Sequence, residues 1–278
     1  GQLWQLGEHR LICGDCTDKA VVERVMGGEK AALCVTDPPY NVGLDYAGNF
    51  DDDRPPDEYK QWTRQWFALA MDNAQKAIVT PGGVNLAMWQ SLFDVTAIGC
   101  WVKSGNTGGA HGAISMFQCW EPLLFIENES QRHARKYEFT NWLRSTGVTA
   151  RQIDVATSTN MGGHYLTNES QPAIPTPEMF AKFRHIFHSV PPEIAALVNR
   201  RIDGGFGRVR HSDVFEYSPT DGIENKHACP KPTALWGDLI ENYCEVDRIC
   251  YEPFSGSGTT MIACEQLGRK CRAVELSA

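Results

Sequence analysis

Short apolar runs alternate with amphipathic stretches along most of this chain. The runs lie at 32–37 (ALCVTD), 83–89 (GVNLAMW), 97–103 (AIGCWVK), 122–128 (PLLFIEN), 248–254 (RICYEPF) and 271–276 (CRAVEL). Each is too short for a buried helix, so each predicts a buried strand. Helical periodicity runs over 57–76 and 232–243. Strands alternating with helices and buried on both faces predict an open, largely parallel, doubly wound α/β sheet. Ligands of such sheets sit beyond the carboxyl ends of the strands. Asp37 and Glu252 each follow an apolar run, which is where site residues belong.

The pattern changes between 129 and 211. A helix-like stretch from 138 ends near Gly147, and Thr149-Ala150-Arg151-Gln152 then reads as a capping box opening a second helix. A polar break follows at 157–160, then a glycine-bearing segment to 167; Thr176-Pro177-Glu178 starts a further helix with proline at its first position. Short helix, tight turn, short helix is the layout of a helix-turn-helix, whose second helix reads the major groove of DNA. The expected organisation is an α/β domain in two parts, 1–128 and 212–278, around a mostly helical insert at 129–211.

Charge sharpens that division. The net charge is −8, yet residues 131–211 hold eleven Lys/Arg against six acids, so that segment is +5 and the remainder −13. A basic insert in an acidic body points to a polyanionic partner at one face; a solvated charged surface is the plainer alternative. No stretch approaches eighteen consecutive apolar residues, so no membrane span is expected, and the opening residues GQLWQLGEHR do not read as a signal peptide. The ten cysteines are scattered through apolar segments and read as small core residues of a reducing compartment, hence a cytoplasmic protein. Cys13 and Cys16 form a C-x-x-C with no second metal-ligating pair, so no metal site is expected.

Two stretches carry chemistry. In YEPFSGSGTTMIACEQLGRK (251–270) a strand runs into Gly256-Ser257-Gly258 and then a helix stopped by Gly268. Such glycines let backbone approach a nucleoside ligand closely. No lysine follows them, as a phosphate loop requires, and Met261 stands where a dinucleotide fingerprint has its third glycine. An S-adenosylmethionine site needs two close-approach glycines and an acid on the next strand for the ribose hydroxyls; Glu275 lies 17 residues past Gly258. Plain turn glycines, or a nicotinamide-linked oxidoreductase, are the rival readings.

The second stretch is Asp37-Pro38-Pro39-Tyr40. An exocyclic amine on a nucleobase is a poor nucleophile because its lone pair is delocalised into the ring. To attack a methyl group its nitrogen must become tetrahedral while acceptors hold its hydrogens. Asp37 supplies one acceptor and the Pro38 carbonyl another, the two prolines stiffening the backbone without adding N–H donors. Tyr40 offers a flat face to an unstacked base.

On these motifs the chain resembles the beta class of DNA amino-methyltransferases, phage-like or orphan in type, in which a D-P-P-Y precedes the cofactor motif. The likeness runs through LGEHRLICGD (6–15), TDPPYNV (36–42), WVKSGN (101–106), CWEPLLF (119–125), NKHACPKPTALWGDLI (225–240) and EPFSGSGTT (252–260). The resemblance implies a Rossmann-like methyltransferase sheet, S-adenosylmethionine as cofactor, and double-stranded DNA as partner, with a flipped base, no membrane and a homodimer allowed. The catalytic pocket becomes Asp37, Pro38, Pro39 and Tyr40. Cofactor contacts are implied at Asp15, Cys16, Asp37, Lys231, Pro232, Glu252, Phe254, Ser255, Gly256, Ser257, Gly258, Thr259, Thr260 and Glu275, with Asp15 near the adenine and Lys231 and Pro232 near the methionine end. DNA contacts are expected in the insert, at Arg132, Arg135, Lys136, Arg151, Asn160 and His164. The D-P-P-Y form implies adenine N6 as target, with cytosine N4, or a catalytically weakened DNA-binding relative, as alternatives. Glu252 stands where the family usually has aspartate. The chain stops at VELSA, before a further helix usual in the family, and its opening resembles a junction after an upstream domain, so a module of a longer ancestor is expected.

Overall fold

The computed structural model describes residues 1–44, 52–103, 110–111, 116–117, 119–127, 138–167, 174–195, 198, 213–219 and 231–276. The chain divides into two compact units, one of residues 1–127 and 211–278, the other of residues 128–210.

The larger unit opens on a hairpin of β1 (Leu3–Leu6) and β2 (His9–Cys13), joined through Gly7, whose φ of 59° suits a tight hairpin turn. Helix α1 (Lys19–Met26) follows; Asp18 caps its start by accepting from the Ala20 N–H at 2.8 Å, and Gly27, in the left-handed region, ends it. Then come β3 (Leu33–Thr36), α2 (Pro56–Asn73), β4 (Lys76–Val79), α3 (Leu86–Leu92), β5 (Ala97–Lys103), a two-stranded ribbon of β6 (Ala110–His111) and β7 (Met116–Phe117), and β8 (Trp120–Glu127).

Among the described residues nine strands form one sheet, in the order β1-β2-β11-β10-β3-β4-β8-β5-β9, where β9 is Val214–Tyr217, β10 Ile249–Glu252 and β11 Lys270–Glu275. Strands β2, β11, β10, β3 and β4 are parallel. Strands β5 and β9 are parallel as well, so most pairings are; the sheet is nevertheless mixed, because β8 runs antiparallel to both β4 and β5, and β1 to β2.

Both faces of the sheet are covered. On one side α2 turns Tyr59, Trp62, Trp66, Phe67 and Ala70 inward, the stripe a 3.6-residue period dictates, and these pack with α1 and Trp89 of α3 against Cys34, Val79 and Tyr251. On the other, Leu235, Trp236, Leu239 and Ile240 of the helix Thr233–Tyr243 pack with Ala263 and Cys264 of Thr259–Gln266 against Leu33, Val35 and Cys250. Alternate residues of β3 thus enter opposite cores, which is why its sequence reads as a continuous apolar run.

Two expectations fail here. Residues 83–89, read as a strand, form a 3₁₀ turn (Gly83–Asn85) leading into α3. Gly82, at φ 70°, redirects the chain after β4, and Trp89 gains full burial on the helical face instead. The helix read over 57–76 ends at Asn73; Ala74 is already extended, and Lys76–Val79 pairs with β3.

The second unit is helical. It holds helical residues 138–145 (α4), α5 (Ala150–Thr157), α6 (Gly162–Leu166), α7 (Pro177–Phe183) and helical residues 192–195 (α8). Helices α9 (Thr233–Tyr243) and α10 (Thr259–Gln266) follow in the larger unit. The capping box forms: the Thr149 hydroxyl accepts from the Gln152 N–H at 3.3 Å, and the Gln152 side chain accepts from the Thr149 N–H at 2.8 Å. Phe139, Leu143, Ile153, Tyr165, Phe180 and Phe183 make its core. Gly162 is obligatory for the α5–α6 contact, since a Cβ there would lie 2.2 Å from the Ala150 carbonyl oxygen. Among the described residues of the chain, no helix is long and apolar enough to cross a membrane.

Candidate active site

One edge of the sheet gathers the polar groups. The parallel strands β2, β11, β10, β3 and β4 end beside one another, and just at or after their carboxyl ends stand Asp15, Glu275, Glu252, Asp37 and Thr80. Because β8 is antiparallel to β4, its first residues lie at the same edge, and the β5–β8 register sets Trp101 opposite Glu121 with Lys103 closing β5. The row therefore continues through Glu121 and Lys103.

Asp37 sits at the centre of a polar cluster. Its Oδ1 accepts from the Tyr40 hydroxyl at 2.6 Å and the Thr80 hydroxyl at 2.5 Å, while Oδ2 lies 3.0 Å from Lys231 Nζ. Burial pushes the Asp37 carboxyl up; Lys231 pulls it back. Burial, then the neighbouring carboxylates Asp37 and Glu121, push the Tyr40 phenol well up, so it stays a neutral donor. Lys231 Nζ also reaches the Tyr40 oxygen at 3.0 Å and Glu121 Oε2 at 3.3 Å. Burial works against its charge, but the two carboxylates more than offset that and keep it protonated.

The Tyr40 ring is held by its surroundings. A Cβ on Gly82 would stand 2.8 Å from Tyr40 Cδ2, so the ring packs directly on the glycine backbone. The Asn85 side-chain amide donates to the Tyr40 carbonyl at 2.8 Å. Beyond Tyr40 the chain is pinned by the buried Asp52, whose carboxylate accepts from the N–H groups of Asn41 (2.8 Å), Val42 (3.1 Å) and Leu44 (3.0 Å). The Tyr59 hydroxyl donates to the Pro39 carbonyl at 2.7 Å.

The glycine turn lies on the adjacent strand. Gly256 and Gly258 have φ of 48° and 81°, and a Cβ on either would meet nothing within 4 Å, so this backbone borders open space. The Gly256 N–H donates to Glu275 Oε2 at 2.7 Å, tying the turn to the end of β11. Phe254 stands edge-on to Trp66 with centroids 4.9 Å apart. Asp15 is exposed, its Oδ1 accepting from the Thr17 N–H and hydroxyl at 2.8 Å each.

Three of the implied cofactor residues have side chains engaged within the protein. Glu252 is 3% exposed, and both of its oxygens are engaged within the protein: Oε1 accepts from the Thr36 hydroxyl and from the Phe254 N–H at 3.0 Å, Oε2 from the Thr260 hydroxyl at 2.8 Å. It sews β3, β10 and the start of α10 together, and burial pushes its carboxyl up to about 8. Cys16 is packed in the core, its thiol pushed well up by burial. Lys231 points its ammonium at the Asp37 carboxylate. Pro232 is buried at the start of α9; Ser255 is buried, Ser257 exposed, and the Ser257 and Thr259 hydroxyls lie 3.1 Å apart. Pro38 is buried. Arg151, Asn160 and His164 are exposed in the helical unit, on α5, after α5 and on α6; Arg132, Arg135 and Lys136 lie outside the described residues.

Sequence reasoning missed Thr80, Gly82, Asp52, Lys103 and Glu121. Only Glu121 carried a signal, a carboxylate at the head of the apolar run Pro122–Ile126.

A sheet covered on both faces, with a glycine turn and a D-P-P-Y at adjacent strand ends, defines a Rossmann-like methyltransferase fold. A family model described as DNA methylase of the N6/N4 type matches residues 115–278, more than half of the chain, and the protein belongs to that family. The type II methyltransferase M.MjaVI of Methanocaldococcus jannaschii is 48% identical over 48 residues, 17% of this chain and 24% of that protein. M.HindIII of Haemophilus influenzae is 33% identical over 63 residues, 23% of this chain and 20% of that protein, so the aligned segments span a quarter or less of these two relatives. The type II methyltransferase M.HpaI of Haemophilus parainfluenzae is 21% identical over 282 residues, 97% of this chain and 71% of that protein. Among solved structures, the PvuII DNA methyltransferase, described as cytosine-N4-specific, superposes with a TM-score of 0.51 at 12% identity, covering 96% of this chain and 81% of that one; this likeness concerns the fold.

Proposed function

We propose that this protein transfers a methyl group from S-adenosylmethionine to the N6 amine of an adenine flipped out of double-stranded DNA. The observation that carries the reading is the pairing of Asp37 with Tyr40 at the end of β3, one strand from an open glycine turn on β10. Membership of the DNA methylase family supports it, as do the relatives described as type II methyltransferases.

The residues fit the cofactor. The space beside Gly256 and Gly258 admits a nucleoside, Glu275 offers a carboxylate for ribose hydroxyls, and Asp15 a second acceptor at the next strand end. Phe254 and Thr259 line the same turn. Bound S-adenosylmethionine supplies an electrophilic methyl group. The protein's part is to hold the amine: Asp37 accepts one N–H, the stiff Pro38-Pro39 backbone directs a carbonyl at the other, and the Tyr40 face turned away from Gly82 stacks on the base. Thr80 holds Asp37 in place at 2.5 Å. A base inside a duplex cannot reach this pocket, hence flipping.

The test is transfer of labelled methyl from S-adenosylmethionine to DNA, followed by hydrolysis to nucleosides. Label in N6-methyladenine is the expected outcome. Label in N4-methylcytosine would correct the base, and absence of label from DNA under all conditions would overturn the reading.

The helical unit is proposed as the target-recognition part, with Arg151, Asn160 and His164 facing DNA. Arg151, exposed in the first turn of α5, is assigned to a phosphate. Arg151→Gln should then flatten the slope of log affinity against log salt by about 0.9 and weaken all sequences alike. An unchanged slope would remove Arg151 from the interface.

A further inference from the structure

The chemistry above leaves Glu121 and Lys103 without a role, although both sit at the pocket. Glu121 is 7% exposed at the start of β8. Its Oε1 lies 2.5 Å from Lys103 Nζ, and its Oε2 lies 3.3 Å from Lys231 Nζ and accepts from the Tyr40 hydroxyl at 3.2 Å. Lys231 is therefore shared between two carboxylates, Asp37 at 3.0 Å and Glu121 at 3.3 Å. Two acids and two lysines balance to zero charge in a place where an unpaired ion would be costly.

The sharing bears on how a target amine gains access to Asp37. A carboxylate oxygen has about two acceptor sites. Both on Oδ1 are taken, by Tyr40 and Thr80, and Lys231 holds one of the two on Oδ2, so a target amine must bind Oδ2 beside that ammonium. An amine that develops positive charge as it is methylated is repelled by an ammonium on the same oxygen, and the repulsion eases if that lysine moves aside. If Lys231 were paired with Asp37 alone, moving it aside would strand a buried cation.

We propose that Glu121, braced by Lys103, is the alternative anchor of Lys231, so that the lysine can yield Asp37 to the incoming amine without leaving its charge unpaired. Glu121 is on this account a positioning residue: it acts chiefly through Lys231, with a contact to the Tyr40 hydroxyl besides, and touches no substrate. The inference rests on the methyl-transfer reading. It also explains the doubled contact of Lys231, which holding Asp37 alone does not require.

The groups facing Asp37 are Lys231, Glu121, Tyr40 and Thr80, with the buried Glu252 behind Thr36. Burial raises Glu121, but Lys231 and Lys103 outweigh it and hold the carboxyl below its usual value, so it stays ionised as an anchor. Within this set Glu121 repels the Asp37 charge and draws Lys231 away from it. Both effects vanish in Glu121→Gln, so the acid limb of the turnover–pH profile should move to lower pH. Turnover on its plateau should nevertheless fall about tenfold or more, the scale seen when an outer partner that orients a functional group is removed.

The experiment measures kcat, its pH profile and S-adenosylmethionine affinity for the wild type, Glu121→Gln, Glu121→Asp, Lys231→Met and the double variant Glu121→Gln/Lys231→Met. Glu121→Gln should lower kcat with cofactor affinity within about twofold of wild type, and Glu121→Asp should recover part of the loss. With Lys231 already replaced, the Glu121 change should cost much less than in the wild type, because the lysine shared with Asp37 is gone and only the contacts of Glu121 to Lys103 and the Tyr40 hydroxyl are lost. Equal losses from Glu121→Gln in both backgrounds would show that Glu121 acts independently of Lys231 and would overturn the inference. So would an unchanged kcat in Glu121→Gln. Should Glu121→Gln fail to fold, Glu121→Asp in the two Lys231 backgrounds gives the same comparison. A wild type that methylates DNA while Glu121→Gln does so equally well sinks this inference alone; a wild type that methylates no DNA sinks the parent reading with it.

Discussion

Asp37→Ala should lose turnover by about a hundredfold or more, the scale of deleting one preorganised acceptor or donor aimed at a reacting centre. The same variant should bind S-adenosylmethionine nearly as the wild type does, because the glycine turn and Glu275 sit on neighbouring strands with their own hydrogen bond at 2.7 Å. Glu275→Ala should show the reverse, a cofactor affinity weaker by about 1–3 kcal/mol, as expected for a charge-assisted hydrogen bond. Calorimetry with S-adenosylmethionine and a labelled-methyl assay on DNA separate the two effects. Near-normal turnover in Asp37→Ala would end the proposed chemistry. Equal cofactor affinity in Glu275→Ala would place the cofactor elsewhere.

Replacing Glu252 should change how stability depends on pH. Its carboxyl is pushed from 4.5 to about 8 by burial, against the pull of the donors from Thr36, Phe254 and Thr260. A group whose folded pKa lies above its unfolded value contributes its full stability below the unfolded value and loses it as pH rises through the folded one. The wild type should therefore lose stability between about pH 4.5 and 8, on the order of a few kcal/mol at one pKa unit per 1.4 kcal/mol. Glu252→Gln keeps the shape, and its amide can accept from Thr36 and Phe254 and donate to Thr260, but it carries no proton to lose. Its melting temperature should match the wild type near pH 4.5, stay flatter upward, and exceed it at pH 8. Parallel curves for the two proteins would mean that Glu252 ionises without cost.

What the sequence determined is what local chemistry and period can encode. Continuous apolar runs flanked by polar residues marked β3, β8, β10 and β11, since a strand buried on both faces must be apolar throughout; β5 was marked the same way, although Ala97 and Ile98 are exposed. Asp37-Pro38-Pro39-Tyr40 and Gly256-Ser257-Gly258 were legible because prolines and glycines declare the backbone geometry they impose. The capping box at Thr149 and Gln152 was legible for the same reason, as its hydrogen bonds join residues three apart. The tertiary structure decided the rest. Strand β4 was absorbed into the helix read over 57–76 because no glycine or proline stands between Asn73 and Lys76; pairing with β3, more than forty residues upstream, and with β8, more than forty downstream, draws Lys76–Val79 into the sheet. Residues 83–89 became a turn and a helix because the interior beside α2 had room for Trp89 on a helical face. The network that joins Asp37 to Thr80, Glu121, Lys103 and Lys231 spans 194 residues of chain, from 37 to 231. No local pattern records it, because ion pairs between strand ends depend on strand order, and strand order follows from which apolar faces pack together in the folded chain.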